Sequence, residues 1–397
     1  MRVSALLVLA SVGIAGCPST VLLSPSPSAN DAAVMSDLPV ATPPISKIAS
    51  SGAVTCALRS DGHVRCWGRY VATPPDAGTP RPSWQPVEID GLADAIDVAV
   101  SEDDRGCAVT RSGDVRCWSM HGDGALRPPH AELETTAPPA TQIALGDGWV
   151  CTIGPGDAGA VWCGGDNRFG TLGLGDFEAH PAGGVVALPA PAREVAIGSF
   201  GTCARLADGS VWCWGRNYSG ALGDGVRHQG CGPSVPDEDC SPTPVRVALP
   251  RAAEQLSAGL NGACARVGTQ AFCWGWGTNG RLLSGSEADS VVPAVVPGLD
   301  DVAFVFAGYL AGCVLRRDAS TWCAGFGVTT EGTDAGEVTS LQPVRIGGVG
   351  PARAVTGGWY HLCALQNDGA VLCWGNGGYG QLGVATTARG PVRVEGL

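Results

Sequence analysis

Apolar and polar residues alternate along this chain in short runs of strand length, and the runs return in the same order about every fifty residues. The run Ala192-Arg193-Glu194-Val195-Ala196-Ile197-Gly198 leads to Cys203-Ala204-Arg205-Leu206. The turn Ala207-Asp208-Gly209 and then Val211-Trp212-Cys213-Trp214-Gly215 follow. Asp-Gly between two runs of period two predicts a hairpin, because glycine accepts the positive φ of a tight turn. In the first unit Cys56, Leu58, Val64 and Cys66 share one face of such a hairpin, with Thr55, Arg59 and Arg65 on the other. Apolar residues never recur at helical spacing over a long stretch, and 59 glycines and 29 prolines are spread through the chain. The pattern predicts an all-β fold with many turns.

Seven such hairpins are marked by cysteine pairs: Cys56 with Cys66, Cys107 with Cys117, Cys151 with Cys163, Cys203 with Cys213, Cys264 with Cys273, Cys313 with Cys323, and Cys363 with Cys373. Opposed residues of an antiparallel pair have Cα atoms about 4.5 to 5.5 Å apart, within disulfide reach. On the chain-entropy account each bridge would stabilise its hairpin by about 2.5 to 3 kcal/mol. Two alternatives stand beside this: pairs of small buried thiols, and zinc, whose ligand pairs normally sit about two to four residues apart rather than across a hairpin.

A further apolar segment lies between units, as in Gln85-Pro86-Val87-Glu88-Ile89, Thr243-Pro244-Val245-Arg246-Val247 and Gln342-Pro343-Val344-Arg345-Ile346. The ordered part begins without it, at Ile45-Ser46-Lys47-Ile48-Ala49, and ends with it, at Gly390-Pro391-Val392-Arg393-Val394. Four strands per unit and seven units predict a seven-bladed β-propeller over residues 45–397. The C-terminal strand is expected to complete the N-terminal blade, closing the ring and removing its sheet edges.

The stretch Cys363-Ala364-Leu365-Gln366-Asn367-Asp368-Gly369-Ala370-Val371-Leu372-Cys373-Trp374-Gly375-Asn376, with Gly380-Gln381-Leu382-Gly383 after it, resembles the repeat of the RCC1 (regulator of chromosome condensation) family. His361 fits that repeat, which usually carries a histidine two residues before this cysteine. The Gly-x-Leu-Gly ending is clear at Gly170 to Gly173, Gly220 to Gly223 and Gly380 to Gly383, partial after units two and five, and absent after one and six. The resemblance implies a propeller. The family's best-known member is a nuclear exchange factor for a small GTPase, and the family also includes secreted bacterial propellers such as an inhibitor of β-lactamase.

The N-terminus favours the exported kind. Met1-Arg2 is a basic start, Ala5 to Ile14 an apolar stretch of about ten residues, too short to span a bilayer. Ile14-Ala15-Gly16-Cys17 looks like the bacterial lipobox. Residues 1–16 are therefore expected to be a lipoprotein signal peptide, Cys17 the lipidated residue, and 17–44, rich in Pro, Ser and Ala, a flexible tether. Cysteine arithmetic agrees: the seven pairs, with Cys231 and Cys240 as an eighth, leave Cys17 over. An exported chain meets an oxidising environment in which disulfides persist. The formal charge of −12 lacks any Lys/Arg cluster, so nucleic acid is not an expected partner. Membrane contact is expected only through the lipid. Signal, disulfides and acidity all conflict with nuclear exchange activity.

Candidate chemistry is sparse. Trp67, Trp118, Trp214, Trp274 and Trp374 each follow a second cysteine and are expected to pack between blades. Asp61-Gly62, Asp208-Gly209 and Asp368-Gly369 superficially resemble the Asp-box of sialidases, but that motif separates the two residues, so they are read as turns. The histidines are dispersed, no phosphate-cradling loop is present, and no catalytic residue, cofactor or metal is predicted. One segment breaks the repeat: Asp224 to Ser241, with Cys231, Cys240 and the polar residues Asp224, Arg227, His228, Asp237, Glu238 and Asp239. Disulfide-pinned, it is the candidate binding loop. Its carboxylates raise calcium as an alternative, without EF-hand spacing. The expected function is that of a monomeric, non-enzymatic, lipid-anchored propeller of the bacterial cell envelope, contacting a protein or an envelope glycan through blade-end loops. A glycan hydrolase or lyase with residues on several blades is the rival, and a structural envelope protein a third reading.

Overall fold

Each repeated cysteine pair sits at the centre of an antiparallel hairpin in the computed structural model, which describes residues 43–69, 83–120, 131–134, 136–228, 230–232, 235–328, 339–386 and 390–397. The leader over 1–16, Cys17 and the tether up to residue 42 lie outside these residues. In blade 4, Gly201–Leu206 pairs with Val211–Arg216 so that Cys203 faces Cys213 and Ala204 faces Trp212. The same register sets Cys56 against Cys66, Cys107 against Cys117 and Cys151 against Cys163. It also sets Cys264 against Cys273, Cys313 against Cys323 and Cys363 against Cys373. All seven pairs are disulfides rather than free thiols or metal ligands, with Cα atoms 4.0 to 4.2 Å apart, closer than the spacing expected for opposed strand residues. The turns between them use their residues as the alternation implies. Gly62, Gly209 and Gly369 have φ of +96°, +78° and +87°, a region that a β-carbon disfavours. The preceding aspartates cap the turn: Asp208 Oδ1 accepts the Ser210 N–H at 2.9 Å, and Asp368 Oδ1 that of Ala370 at 2.9 Å.

One strand on each side of the hairpin completes a sheet. The described residues form seven four-stranded sheets, in each of which the strands follow chain order. Blade 1 comprises Ile45–Ser51, Val54–Arg59, Val64–Gly68 and Ser83–Glu88. Blade 7 comprises Ala352–Gly357, His361–Gln366, Val371–Gly375 and Val392–Arg393. First strands touch the first strands of both neighbouring blades and surround a central well, which makes them innermost and the fourth strands outermost. Outer strands carry Pro86, Pro181, Pro242, Pro293 and Pro343. A proline offers no N–H to an added strand, which blunts the edge.

Ring closure differs from the sequence expectation. Val392–Arg393 pairs within blade 7, and blade 1 takes its own Ser83–Glu88 as fourth strand. A segment lying between two hairpins can in principle join either. The connection after the third strand decides by turning the chain back beside the strand it has just left. Closure is instead made by packed side chains and by hydrogen bonds such as that from the Trp359 N–H to the Gly52 carbonyl at 2.7 Å. A wedge of buried apolar residues fills each junction between neighbouring blades. The one between blades 7 and 1 packs Ile45, Ile48 and Trp67 against Leu365, Leu382 and Val394.

A hydrogen bond recurs in these wedges. Trp214 Nε1 donates to the Thr171 carbonyl at 2.9 Å, Trp274 Nε1 to that of Ala221 at 3.0 Å, and Trp67 Nε1 to that of Gln381 at 3.1 Å. Each acceptor is the variable residue of a Gly-x-Leu-Gly turn in the preceding blade, so blade 1 hangs on blade 7 as blades 4 and 5 hang on theirs. The second glycine of the turn makes room for the indole: a β-carbon on Gly173 would lie 2.8 Å from Trp214 Nε1, and one on Gly223 2.6 Å from Trp274 Nε1. All five recurring tryptophans are buried. Eight disulfides among the described residues suit an oxidising, extracytoplasmic environment. No helix among those residues is long and apolar enough to cross a membrane.

Candidate binding face and central well

In an antiparallel meander the turn between strands one and two leaves from the same edge as the connection between strands three and four. The Asp-Gly turns lie on the other edge. One face of the propeller therefore gathers the seven inner turns, the Gly-x-Leu-Gly segments and the long connection of blade 4.

At the centre of this face the inner strands enclose a small well of about 100 Å³, lined from all seven blades. Backbones meet closely at its rim. A β-carbon on Gly198 would stand 2.1 Å from the Gly259 carbonyl oxygen, and one on Gly259 2.3 Å from that of Gly308. The charged residues of the lining are Glu102 and Asp147. Ser199 Oγ, reaching over from blade 4, donates to Glu102 Oε1 at 2.6 Å. Burial pushes the Glu102 carboxyl above its ordinary value, and the charges of Asp147 and Asp103 add to this. The Ser199 hydroxyl and the Trp359 indole offset part of it. Asp147 is also raised, first by burial and then by Asp103 and Asp166, against Arg168.

Aromatic residues also border the well. A side recess of only about 10 Å³ shares Phe306 and Tyr309 with it and adds Phe326, Trp359 and Tyr360. Ring centroids of Tyr309 and Trp359 are 6.2 Å apart, and those of Phe326 and Tyr360 6.0 Å. Burial raises the Tyr309 phenol, and the Glu102 charge raises it further, so the two groups sense each other. Arg281 braces this wall: its guanidinium lies 4.2 Å from the centroid of Trp276 and donates to the Tyr309 carbonyl. Burial lowers its pKa to about 10.

The blade 4 connection is ordered by the residues that the sequence marked as candidates for binding. Asp224 Oδ2 pairs with His228 Nε2 at 2.9 Å, and Asp239 Oδ1 accepts the His228 N–H at 2.8 Å. Glu238 pairs with Arg216 at 2.5 Å. That guanidinium stands 5.1 to 5.2 Å from the centroids of Phe169, Phe200 and Tyr218. Asn217 ties both ends of the segment, donating to the Val226 carbonyl and to Asp239 Oδ2 at 3.0 Å each. The disulfide between Cys231 and Cys240 closes it, with Cα atoms 5.0 Å apart. Of the six candidates Arg227 and Asp237 remain exposed, while the other four hold the loop's shape. Blade 3 shows where the device comes from: Asn167 Oδ1 accepts the Leu172 N–H at 2.9 Å, as Asn217 Oδ1 accepts that of Leu222 at 3.0 Å. The insertion is hung on a repeat asparagine. No group of three or more His, Cys, Asp or Glu among the described residues is placed to hold a metal ion.

These blades match a known repeat. One pattern of the regulator of chromosome condensation (RCC1) repeat fits residues 45–69, 192–221 and 352–381, and a second fits 208–265 and 368–397. The chain carries RCC1 repeats and folds as a seven-bladed propeller. It is 27% identical over 267 residues to the ultraviolet-B receptor UVR8 of Arabidopsis thaliana. That match takes in 64% of this chain and 58% of the receptor, so the chain spans less than two thirds of that relative's length. Among solved structures, human WBSCR16 superposes with a TM-score of 0.67 at 17% identity, covering 84% of this chain and 94% of that one. Yeast RCC1 (Prp20), solved bound to Kap60, gives 0.67 at 18%, covering 85% and 84%. At these identities the likeness is one of fold. The RCC1-repeat propeller is a protein-interaction fold.

The well of this RCC1-repeat propeller escaped the sequence reading. Asp147, Ser199, Tyr309 and Trp359 each stand four positions before the first cysteine of their repeats, and Glu102 five before its own. Aligning the repeats on that cysteine would have shown that the inner turn is where side-chain chemistry varies most.

Proposed function

We propose that this RCC1-repeat propeller is an exported, lipid-anchored, non-enzymatic binding protein that engages a protein partner through the face carrying the central well and the 224–241 loop. The observation that carries the reading is the set of exposed aromatics on that face: Tyr218, Tyr360 and Tyr379 are 45%, 40% and 48% exposed. Tyr218 stands on the disulfide-closed connection of blade 4 with Arg216 5.2 Å from its ring centroid, and Arg69 lies 5.5 Å from that of Tyr379. Rigid aromatics supply contact area at a small cost in side-chain entropy, as at protein interfaces generally. Lipidation at Cys17 and a tether over 17–44 would give the face reach from a bacterial envelope. Disulfide-rich blades suit that setting.

The test is crosslinked capture from native envelope extracts by the wild type, by Tyr218→Ser/Tyr360→Ser, and by Arg111→Ser on the opposite face. A protein retained by the wild type and the Arg111 variant but lost from the tyrosine variant supports the reading. Equal retention by all three, or none by any, overturns it. A glycan retained in place of a protein, and lost from the tyrosine variant, would keep the face and change the ligand class.

A second reading, a glycan hydrolase or lyase, has one observation in its favour: two carboxylates of raised pKa share the well. The backbone of seven strands walls that well, so it admits a group end-on rather than a polymer lying across it. Release of reducing ends from envelope polysaccharide by the wild type, and its loss in Glu102→Gln, would establish this reading over the first.

A further inference from the structure

The well has the makings of a cation receptor. Its lining contains two carboxylates and no basic side chain, and among the described residues neither Glu102 nor Asp147 has an ion-pair partner. Arg168, whose charge reaches Asp147, is engaged with Asp166 at 2.8 Å, and Arg281, behind the Tyr309 wall, with the Tyr309 carbonyl and the Trp276 ring. Glu102 is held in place by Ser199, so it cannot swing out to solvent without breaking a charge-assisted hydrogen bond. Tyr309 also lines the well, with Trp359 tilted against it at 58° and its indole close enough to Glu102 to lower that pKa, and aromatic ring faces attract cations. The apolar residues Val100, Leu145, Ile197 and Leu260 also line the well and form its sleeve. Carboxylates, an aromatic ring and apolar residues lining one well match one chemistry, a positive charge at the tip of an aliphatic stem.

We propose that the central well receives a single basic side chain, that of a lysine on the partner protein, with its ammonium between Glu102, Asp147 and the Tyr309 ring. This rests on the binding reading above and names the partner's contact chemistry. The stem displaces water from the sleeve, and the ammonium supplies the counter-charge that the carboxylates lack. A guanidinium is expected to bind less well, because its charge is spread over a planar fork rather than concentrated in a compact ammonium.

The experiment titrates the mature chain with the capped peptide acetyl-Gly-Gly-Lys-Gly-Gly-amide and follows indole signals by NMR. The same peptides with norleucine and with arginine in place of lysine serve as comparisons. The expected result is saturable binding of the lysine peptide, at least tenfold weaker for norleucine, weaker for arginine, and at least tenfold weaker in Glu102→Gln/Asp147→Asn. Tyr309→Leu, which leaves the carboxylates in place, should also weaken lysine binding. Equal affinity for lysine and norleucine, no loss in the carboxylate variant, or full displacement of the peptide by millimolar calcium would each overturn the proposal. Capture of a protein by the tyrosine-bearing face in a chain that ignores the lysine peptide would sink the well and spare the face. Loss of both would sink the two together.

Discussion

Thr55 Oγ1 and His361 Nε2 lie 2.7 Å apart, buried in the junction between the first blade and the last. The imidazole is fully enclosed, and burial brings its pKa down from 6.5 to about 3. It is therefore neutral wherever the ring is folded near physiological pH.

That neutrality sets an acid dependence. An unfolded histidine binds a proton below about pH 6.5, and the folded one refuses it down to about pH 3. Stability present above pH 6.5 is thus lost as pH falls, by about 1.4 kcal/mol per unit over that window. Burial raises the carboxylates Glu102 and Glu194, which acts in the opposite sense, so the informative quantity is a difference between variants. From pH 7 to 5 the wild type should lose about 2 kcal/mol more than His361→Gln, read from urea midpoints. Parallel curves would refute the assignment.

The indole latches predict a graded series. In Trp67→Phe and Trp214→Phe the ring stays and the buried Gln381 or Thr171 carbonyl loses its donor, at a cost of about 1 to 3 kcal/mol each. Trp374 Nε1 and Trp118 Nε1 have no partner among the described residues, so Trp374→Phe and Trp118→Phe should cost less. Thermal midpoints for the four variants decide, and equal losses would show that packing alone matters.

Breaking the eighth disulfide should loosen the insertion and spare the ring. Cys231→Ser/Cys240→Ser is expected to open protease sites between Asp224 and Ser241 with little change in the main unfolding transition. Cys203→Ser/Cys213→Ser, inside a blade, should destabilise by about 2 to 4 kcal/mol. A loop that stays protease-resistant without its disulfide would mean that Asn217, Arg216 and Asp239 suffice to order it.

Cys17→Ser should leave the propeller folded and move it from the membrane fraction to the soluble extracytoplasmic fraction. Unchanged fractionation would rule out the lipid anchor.

What the sequence made legible was whatever repeats. Alternation around Cys203 and Cys213, with Asp208-Gly209 between, is a local code and yields the hairpin without reference to distant residues. The buried Trp214 follows from the same code. Closure was not readable in that way, because a segment such as Thr243 to Val247 lies between two hairpins and only the turn ahead of it settles the pairing. Trp67 and Gln381 meet from opposite ends of the chain, and nothing in either neighbourhood announces the other. The candidate loop was found because it breaks the repeat, yet its aspartates turned inward: Asp224 and Asp239 are needed by backbone amides that an irregular segment leaves unpaired. The well was hidden for the converse reason. Asp147, Ser199 and Tyr309 are single substitutions at a regular position, Glu102 stands one residue out of it, and a site assembled from one residue per blade leaves no cluster in the sequence.

Each blade is one unbroken stretch of chain, and no strand is lent from one terminus to the other. A cut at any blade boundary therefore frees whole sheets and splits none. Joining the present ends and opening the ring between blades 3 and 4 should yield a permuted chain that still folds, since the junction of blades 7 and 1 is a wedge like the rest. By the same logic a gene could lengthen or shorten by one intact unit at a time, with blade number changing in single steps and no half-built sheet along the way.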